Sequence, residues 1–228
     1  MPLAIDLFCG LGGWTDGLLA EGYDVIGFDI ERHEYGEHRY PAQLVLQDVR
    51  TLHGSQFKDA TLIVASPPCQ AYSYRAMPWK RAKALPPPDN TLFEACFRIQ
   101  REASEAAGRR IPLIVENVRG AQKWVGRARW NYGSFYLWGD VPALMPITLK
   151  TAKVPGFRFD GNGKSFQTAS VDASGVKHRG SGAIWFDTGP ASLPSKSPRR
   201  KAASAMIAKI PLPLGRHIAA TFRAECRS

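Results

Sequence analysis

The sequence predicts an α/β fold, a mostly parallel, doubly wound sheet with a small loop-rich lobe near its carboxyl end. Three observations carry this expectation. Over roughly the first 140 residues short apolar runs alternate with helix-like stretches, the rhythm of strand-helix-strand units and therefore of a parallel sheet. After about Pro142 the character changes to Gly, Ser, Lys and Pro without sustained periodicity, as in a loop-rich insert. With 228 residues the chain is long enough to bury a full core, most simply as one domain with a small appended lobe.

In chain order, Leu3 to Phe8 predicts the first strand, a glycine-rich turn follows, and Trp14 to Glu21 reads as a helix. Val25 to Phe28 and Leu44 to Leu46 are the second and third strands, and Leu62 to Ala65 the fourth. Over Leu92 to Ala107 the apolar positions Leu92, Phe93, Ala95, Cys96, Ile99 and Ala103 recur at three- and four-residue steps, which predicts an amphipathic helix. Ile111 to Glu116 is the next strand, and Ser134 to Trp138 one more. Arg199 to Ala208 and Pro213 to Phe222 are helical patterns separated by Ile210-Pro-Leu-Pro213. The expected organisation is a main domain over 1–142, an insert over 143–197, and carboxyl-terminal helices over 198–228 that pack back on the main domain.

Thirty Lys and Arg against twenty Asp and Glu leave a formal charge of +10, which points to a polyanionic partner, nucleic acid first. Cys9, Cys69, Cys96 and Cys226 show no CxxC spacing and the five histidines no metal-ligand spacing, so neither zinc nor a disulfide framework is expected. No signal peptide is expected before the first strand, and no apolar run approaches the ~18 residues of a membrane span. A cytoplasmic protein that meets no membrane is the expectation.

Two stretches carry chemistry. Asp6-Leu-Phe-Cys-Gly-Leu-Gly-Gly13 lets the backbone approach a ligand at a helix amino end, but it lacks the GxGxxG spacing of dinucleotide folds and the Lys of a P-loop. Asp29 closes the second strand, where a carboxylate can take the hydroxyls of a ribose, and Asp48 follows the third, where it could accept from an exocyclic amine. Each Asp alone is more often a helix cap; together with the turn they describe a nucleoside site without a triphosphate. The second stretch is Pro67-Pro68-Cys69-Gln70, a thiol held by two prolines at the carboxyl end of a buried strand. That is how a nucleophile is presented.

DLFCGLGG (6–13), SPPCQAYS (66–73) and ENV (116–118), in this order, resemble motifs of the DNA cytosine carbon-5 methyltransferases, and the small size and RRKAASAMIAKIPLPL resemble compact phage or prophage members. The resemblance spans residues 3 to about 138 and 192 to 223. It implies a Rossmann-like S-adenosylmethionine-dependent methyltransferase fold with one antiparallel strand, a target-recognition lobe in the insert, and double-stranded DNA as partner of a monomer. Carried over by motif, Phe8, Gly10, Leu11, Gly12, Gly13 and Pro68 would surround S-adenosylmethionine. Asp29, where the family commonly has Glu, would hold its ribose, Ile30 would pack on its adenine, and Asp48 and Val49 would take the adenine edge. No metal is implied. Restriction-modification and protection against host nucleases are both biological settings of such enzymes.

The implied chemistry follows from the base. Carbon 5 of cytosine is a poor nucleophile, and a thiolate added at carbon 6 pushes electron density into the ring. Cys69 would be that thiolate and Glu116 the acid that protonates nitrogen 3. A base inside a duplex must first be extruded. Gln70, Ser73, Arg75, Lys80, Arg81 and Arg179 are the DNA-contact candidates, and the run from Tyr72 to Lys83 interleaves aromatics with cations as a phosphate clamp would. The family's arginine-rich strand is not evident; Arg127-Ala-Arg129 comes early, and Arg129 is the candidate for the base's carbonyl. The Gly-Asn-Ser-Val that usually opens the last helix is replaced by Pro213-Leu-Gly-Arg-His-Ile-Ala. RNA as substrate of the same chemistry, and a catalytically weakened fold kept for DNA binding, are the alternatives.

Overall fold

A strand forms at each apolar run that the sequence offers, and the runs at the centre of the sheet are covered on both faces. The structure is a computed structural model that describes residues 1–73, 84–145, 194 and 197–225. Its strands are β1 (Leu3–Leu7), β2 (Asp24–Asp29), β3 (Gln43–Leu46), β4 (Leu62–Ala65), β5 (Leu113–Asn117), β6 (Trp130–Tyr132) and β7 (Phe135–Gly139). They make one seven-stranded sheet in the order β3-β2-β1-β4-β5-β7-β6, in which β1 to β5 pair parallel and β7 runs antiparallel to both neighbours. This is the mostly parallel, doubly wound sheet expected, with its one reversed strand. The helices are α1 (Gly13–Ala20), α2 (Thr91–Ala107), the short α3 (Gln122–Val125), α4 (Pro198–Ala208) and α5 (Leu212–Glu225).

Neighbouring strand residues point to opposite faces, so each strand feeds two cores. Ile5, Leu7, Ile63, Ala65, Leu113 and Val115 pack with Phe93, Cys96, Ile99 and Ala103 of α2. Ala4, Val25, Leu62, Val64 and Ile114 pack with Trp14 and Leu18 of α1 and Leu214, Ile218 and Phe222 of α5. The α1-α5 crossing is close because small residues face each other: a Cβ on Gly17 would stand 2.3 Å from the Gly215 carbonyl carbon.

Sequence reading missed β6 and several short turns. β6 has three residues on a sheet edge and reaches β7 through a two-residue loop whose first position, Gly133, has φ +59°, the glycine position of a type II′ hairpin. The 3₁₀ turns Val49–Thr51, Gly54–Phe57 and Arg119–Ala121 are too short to leave a periodic signal.

The chain divides into two compact units, Met1–Arg32 with Tyr40–Ile147 and Ile210–Ser228, and His33–Arg39 with Thr148–Lys209. Thus α5 belongs to the first and α4 to the second. In the second, Tyr35 and His38 exchange main-chain hydrogen bonds of 2.9 and 3.1 Å, and Pro198 occupies the first turn of α4, where its missing N–H costs no helix bond. Arg75, Lys80, Arg81 and Arg179, with most of the expected recognition insert, lie outside the described residues.

What the sheet order does for function is geometric. From β1 the chain winds outward through β2 and β3, then resumes on the other side at β4 and β5, so strand order reverses between β1 and β4. Open parallel sheets hold ligands in the crevice at the carboxyl ends of the strands at such a reversal.

Candidate active site

All five parallel strands end at that edge, and each end carries a residue of interest. After β1 the turn is closed by a hydrogen bond from the Gly12 N–H to the Cys9 carbonyl (2.7 Å), and Gly12 caps α1 in a left-handed conformation. Phe8 has φ +57°, the only described non-glycine residue with positive φ. Such backbone costs on the order of 1–3 kcal/mol and persists only where its surroundings enforce it. Its half-buried ring packs on the α2-side core. Leu11 and Gly13 are buried and Gly10 is half-buried.

Asp29, 8% exposed at the end of β2, holds this turn to the second strand. Its carboxylate accepts from the N–H groups of Gly10 (2.9 Å), Ile30 (2.8 Å) and Glu31 (3.4 Å). Beside it Ile30 is 70% exposed, an apolar side chain left uncovered at the ligand edge. Asp48 at the end of β3 does cap a 3₁₀ turn: it accepts from the Arg50 N–H (2.9 Å) and from the Arg50 guanidinium at 2.6–3.1 Å, which holds its carboxyl below the usual range. Val49 turns its side chain into the core.

Beneath the turn lies a group that sequence reading passed over. Asp6 of β1 is 1% exposed, on the α1 side of the sheet, and accepts from the Thr15 hydroxyl (2.6 Å), which bonds the Tyr40 hydroxyl (2.7 Å). Its Oδ1 is buried with no hydrogen-bond partner among the described residues. Burial, opposed by the Thr15 bond and reinforced by the charge of Asp29, pushes its carboxyl up to about 7.

After β4 the chain turns at Cys69, whose carbonyl accepts from the N–H groups of Tyr72 (2.9 Å) and Ser73 (3.0 Å). Pro67 is buried, Pro68 and Gln70 are exposed, and Cys69 and Ser73 are half-buried. From the adjacent β5, Asn117 donates its side-chain amide to the Pro67 carbonyl (2.9 Å). The structure therefore brings Cys69 and Glu116 to neighbouring strand ends. Burial first, and then the Glu116 carboxylate, push the Cys69 thiol up. Arg129 is not brought there: it is exposed and precedes β6, two strands beyond β5, giving its N–H to the Leu137 carbonyl (2.9 Å). Tyr72, which the sequence groups with the DNA-facing aromatics, is instead 3% exposed, and its hydroxyl donates to Asn90 (3.0 Å). A tyrosine turned inward by an asparagine 18 residues away leaves no sequence pattern.

This strand order, with a single reversed strand and a glycine-rich turn after β1, is that of the Rossmann-like fold of S-adenosylmethionine-dependent methyltransferases. The family model described as C-5 cytosine-specific DNA methylase matches residues 3–127, and the chain belongs to that family. Among solved structures it is similar to one described as a DNA modification methyltransferase encoded within a prophage of E. coli, at 25% identity and TM-score 0.39, covering 55% of this chain and 34% of that one. It is also similar to DNMT2 of Spodoptera frugiperda, at 19% identity and TM-score 0.37 over 54% of this chain and 37% of that one. Dnmt2 of S. pombe follows, at 17% identity and TM-score 0.36 over 54% and 36%. The chain thus spans little more than a third of the length of these proteins. No curated protein matches it in sequence.

Proposed function

We propose that this chain methylates carbon 5 of a cytosine in DNA, with Cys69 as covalent nucleophile and Glu116 as its acid partner on a base extruded from the duplex. The observation that carries this reading is geometric: Cys69 and Glu116 stand at the carboxyl ends of the adjacent parallel strands β4 and β5, where burial first and the Glu116 carboxylate second push the thiol up. A repulsive pair of this kind favours a thiolate only when the carboxyl holds its proton, which is the state needed to protonate nitrogen 3 as sulfur adds to carbon 6.

The residues present fit S-adenosylmethionine. Phe8, Gly10, Leu11, Gly12 and Gly13 would surround it, Asp29 would accept from its ribose, Ile30 would cover its adenine, and Asp48 with the Val49 main chain would face the adenine edge; Pro68 would close the far side. Bound there, it supplies the methyl group. Asn117 fixes the Pro67 carbonyl and with it the path of the nucleophile turn. Gln70, exposed beside the thiol, and Ser73 would meet the DNA, joined by Arg75, Lys80, Arg81 and Arg179. Arg129 would need another element to bring the base to it, and the proposal gives it no step.

The test is a duplex carrying 5-fluorocytosine, which arrests the reaction after methyl transfer because fluorine cannot leave as a proton does. A protein-DNA adduct stable to denaturation is expected, lost in Cys69→Ala. Methyl incorporation into duplex DNA and into tRNA, measured side by side, is expected to favour DNA. Absence of the adduct, or transfer surviving Cys69→Ala, overturns the mechanism; preference for tRNA overturns the substrate.

A further inference from the structure

The Cys69 turn is held from a second side, by Tyr72 within the SPPCQAYS stretch and by Asn90, which no motif contains. Tyr72, three positions after the nucleophile, is buried, and its N–H closes the turn on the Cys69 carbonyl at 2.9 Å. Its hydroxyl donates to Asn90 Oδ1 (3.0 Å), the residue that caps α2, and the Asn90 amide donates to the Trp124 carbonyl in α3 (3.4 Å). The Tyr72 carbonyl lies against Gly120, where a Cβ would come within 2.3 Å of it. Gly120 and Trp124 belong to the segment that leaves β5 after Asn117, the residue next to Glu116.

That segment is itself anchored. Trp138 of β7 donates its indole N–H to the Gly126 carbonyl (2.9 Å), Gln122 accepts from the Ala128 N–H (3.2 Å), and the Lys123 ammonium stands 4.6 Å from the Trp124 ring centre. The nucleophile turn is therefore tied at Tyr72 to the stretch that follows the acid, as Asn117 ties it at Pro67.

We infer that Tyr72 and Asn90 are positioning residues, a partly buried brace that sets the placement of Cys69 relative to Glu116 by fixing the nucleophile turn to the segment after the acid. The inference rests on the proposed chemistry for its consequence in catalysis and on geometry alone for its consequence at the thiol. Neither residue touches substrate. A phenylalanine at 72 would fill the same space and leave Asn90 without its donor, so the turn would lose its lateral hold while keeping its core contact.

The experiment compares wild type, Tyr72→Phe, Asn90→Ala and the double variant in two readouts. The first is the rate of adduct formation on saturating 5-fluorocytosine duplex with saturating S-adenosylmethionine, beside the Kd of each. The second is the pH profile of Cys69 alkylation by iodoacetamide in the free protein, followed on the Cys69 peptide by mass spectrometry. Either single variant is expected to form adduct about tenfold more slowly, the scale of one buried hydrogen bond, with both Kd values unchanged. The double variant is expected to be no slower than the slower single one. The alkylation profile is expected to move to lower pH, and to move less in a Glu116→Gln background. Unchanged adduct rates, or additive losses in the double variant, overturn the brace. Should wild type form no adduct, the methyl-transfer reading falls, and the alkylation profile still decides: no shift in Tyr72→Phe overturns the brace.

Discussion

Asp6 sets the chemistry beneath the glycine turn, because a carboxyl buried with one oxygen unbonded among the described residues is held at a cost that depends on pH. Its folded value of about 7 stands above the ordinary 3.8. Between those values the folded chain keeps a proton that the unfolded chain has released, so stability falls as pH rises from about 4 to about 7 and is flat above. At 1.36 kcal/mol per unit the full effect is on the order of 4 kcal/mol. Asp6→Asn keeps the shape and an oxygen for the Thr15 hydroxyl while removing the charge. Urea unfolding at pH 5 and pH 8 is expected to show the wild type losing stability at the higher pH and the variant losing little, so that the variant is the more stable at pH 8. Equal pH dependence in the two proteins would show that Asp6 does not carry this cost.

At the scale of elements, α1 and α5 meet through glycine, and that contact fixes where the turn before α1 ends. An alanine at position 17 would gain about 1 kcal/mol of helix propensity. It would also drive a Cβ to 2.3 Å from the Gly215 carbonyl carbon and 2.6 Å from the Arg216 nitrogen, both backbone atoms that cannot rotate away. Overpacking of this kind costs about 1–3 kcal/mol, so Gly17→Ala is expected to lower the melting temperature; a rise would mean that the helices separate freely. No sequence pattern announces such a crossing, since small residues at a seam look like small residues anywhere. The strands were legible for the opposite reason: β4 is buried on both faces and reads as an unbroken apolar run, and β1 and β5 read almost so, interrupted only by Asp6 and by the terminal Glu116 and Asn117. β6 was not, being three residues at an edge with Trp130 exposed. In the site, Cys69, Glu116 and the glycine turn stood out through their place at strand ends. The Tyr72-Asn90 brace did not, because its partners are distant in sequence. The clamp by which α2 holds the Asp48 side was hidden likewise: Arg98 donates to the carbonyls of Leu52 (3.0 Å) and Arg50 (3.2 Å), and Glu102 accepts from the Gly54 N–H (2.6 Å). One helix thus steadies both the turn of the nucleophile and the loop proposed to face the cofactor's adenine.

For the whole molecule the governing quantity is charge. The chain carries +10, and much of it is gathered in two short stretches free of acids: Arg75, Lys80, Arg81 and Lys83, soon after Cys69 in sequence, and Lys196, Arg199, Arg200 and Lys201, the last three in the first turn of α4. Each phosphate neutralised by such a cation releases condensed counterions, so the logarithm of the association constant falls with the logarithm of salt by about 0.9 per phosphate on duplex DNA. The first stretch follows Ser73 directly in sequence, beside the thiol proposed to attack the base, whereas the second stretch is separated from the thiol in sequence by more than a hundred residues. Lys80→Ala with Arg81→Ala is therefore expected to reduce the salt slope of duplex binding by about 2 and to weaken binding to all sequences alike, because phosphate contacts position without reading bases. Fluorescence anisotropy on two unrelated duplexes across a salt series measures both. A slope left unchanged would remove this stretch from the DNA interface, and a loss confined to one duplex would make its residues base readers rather than a clamp.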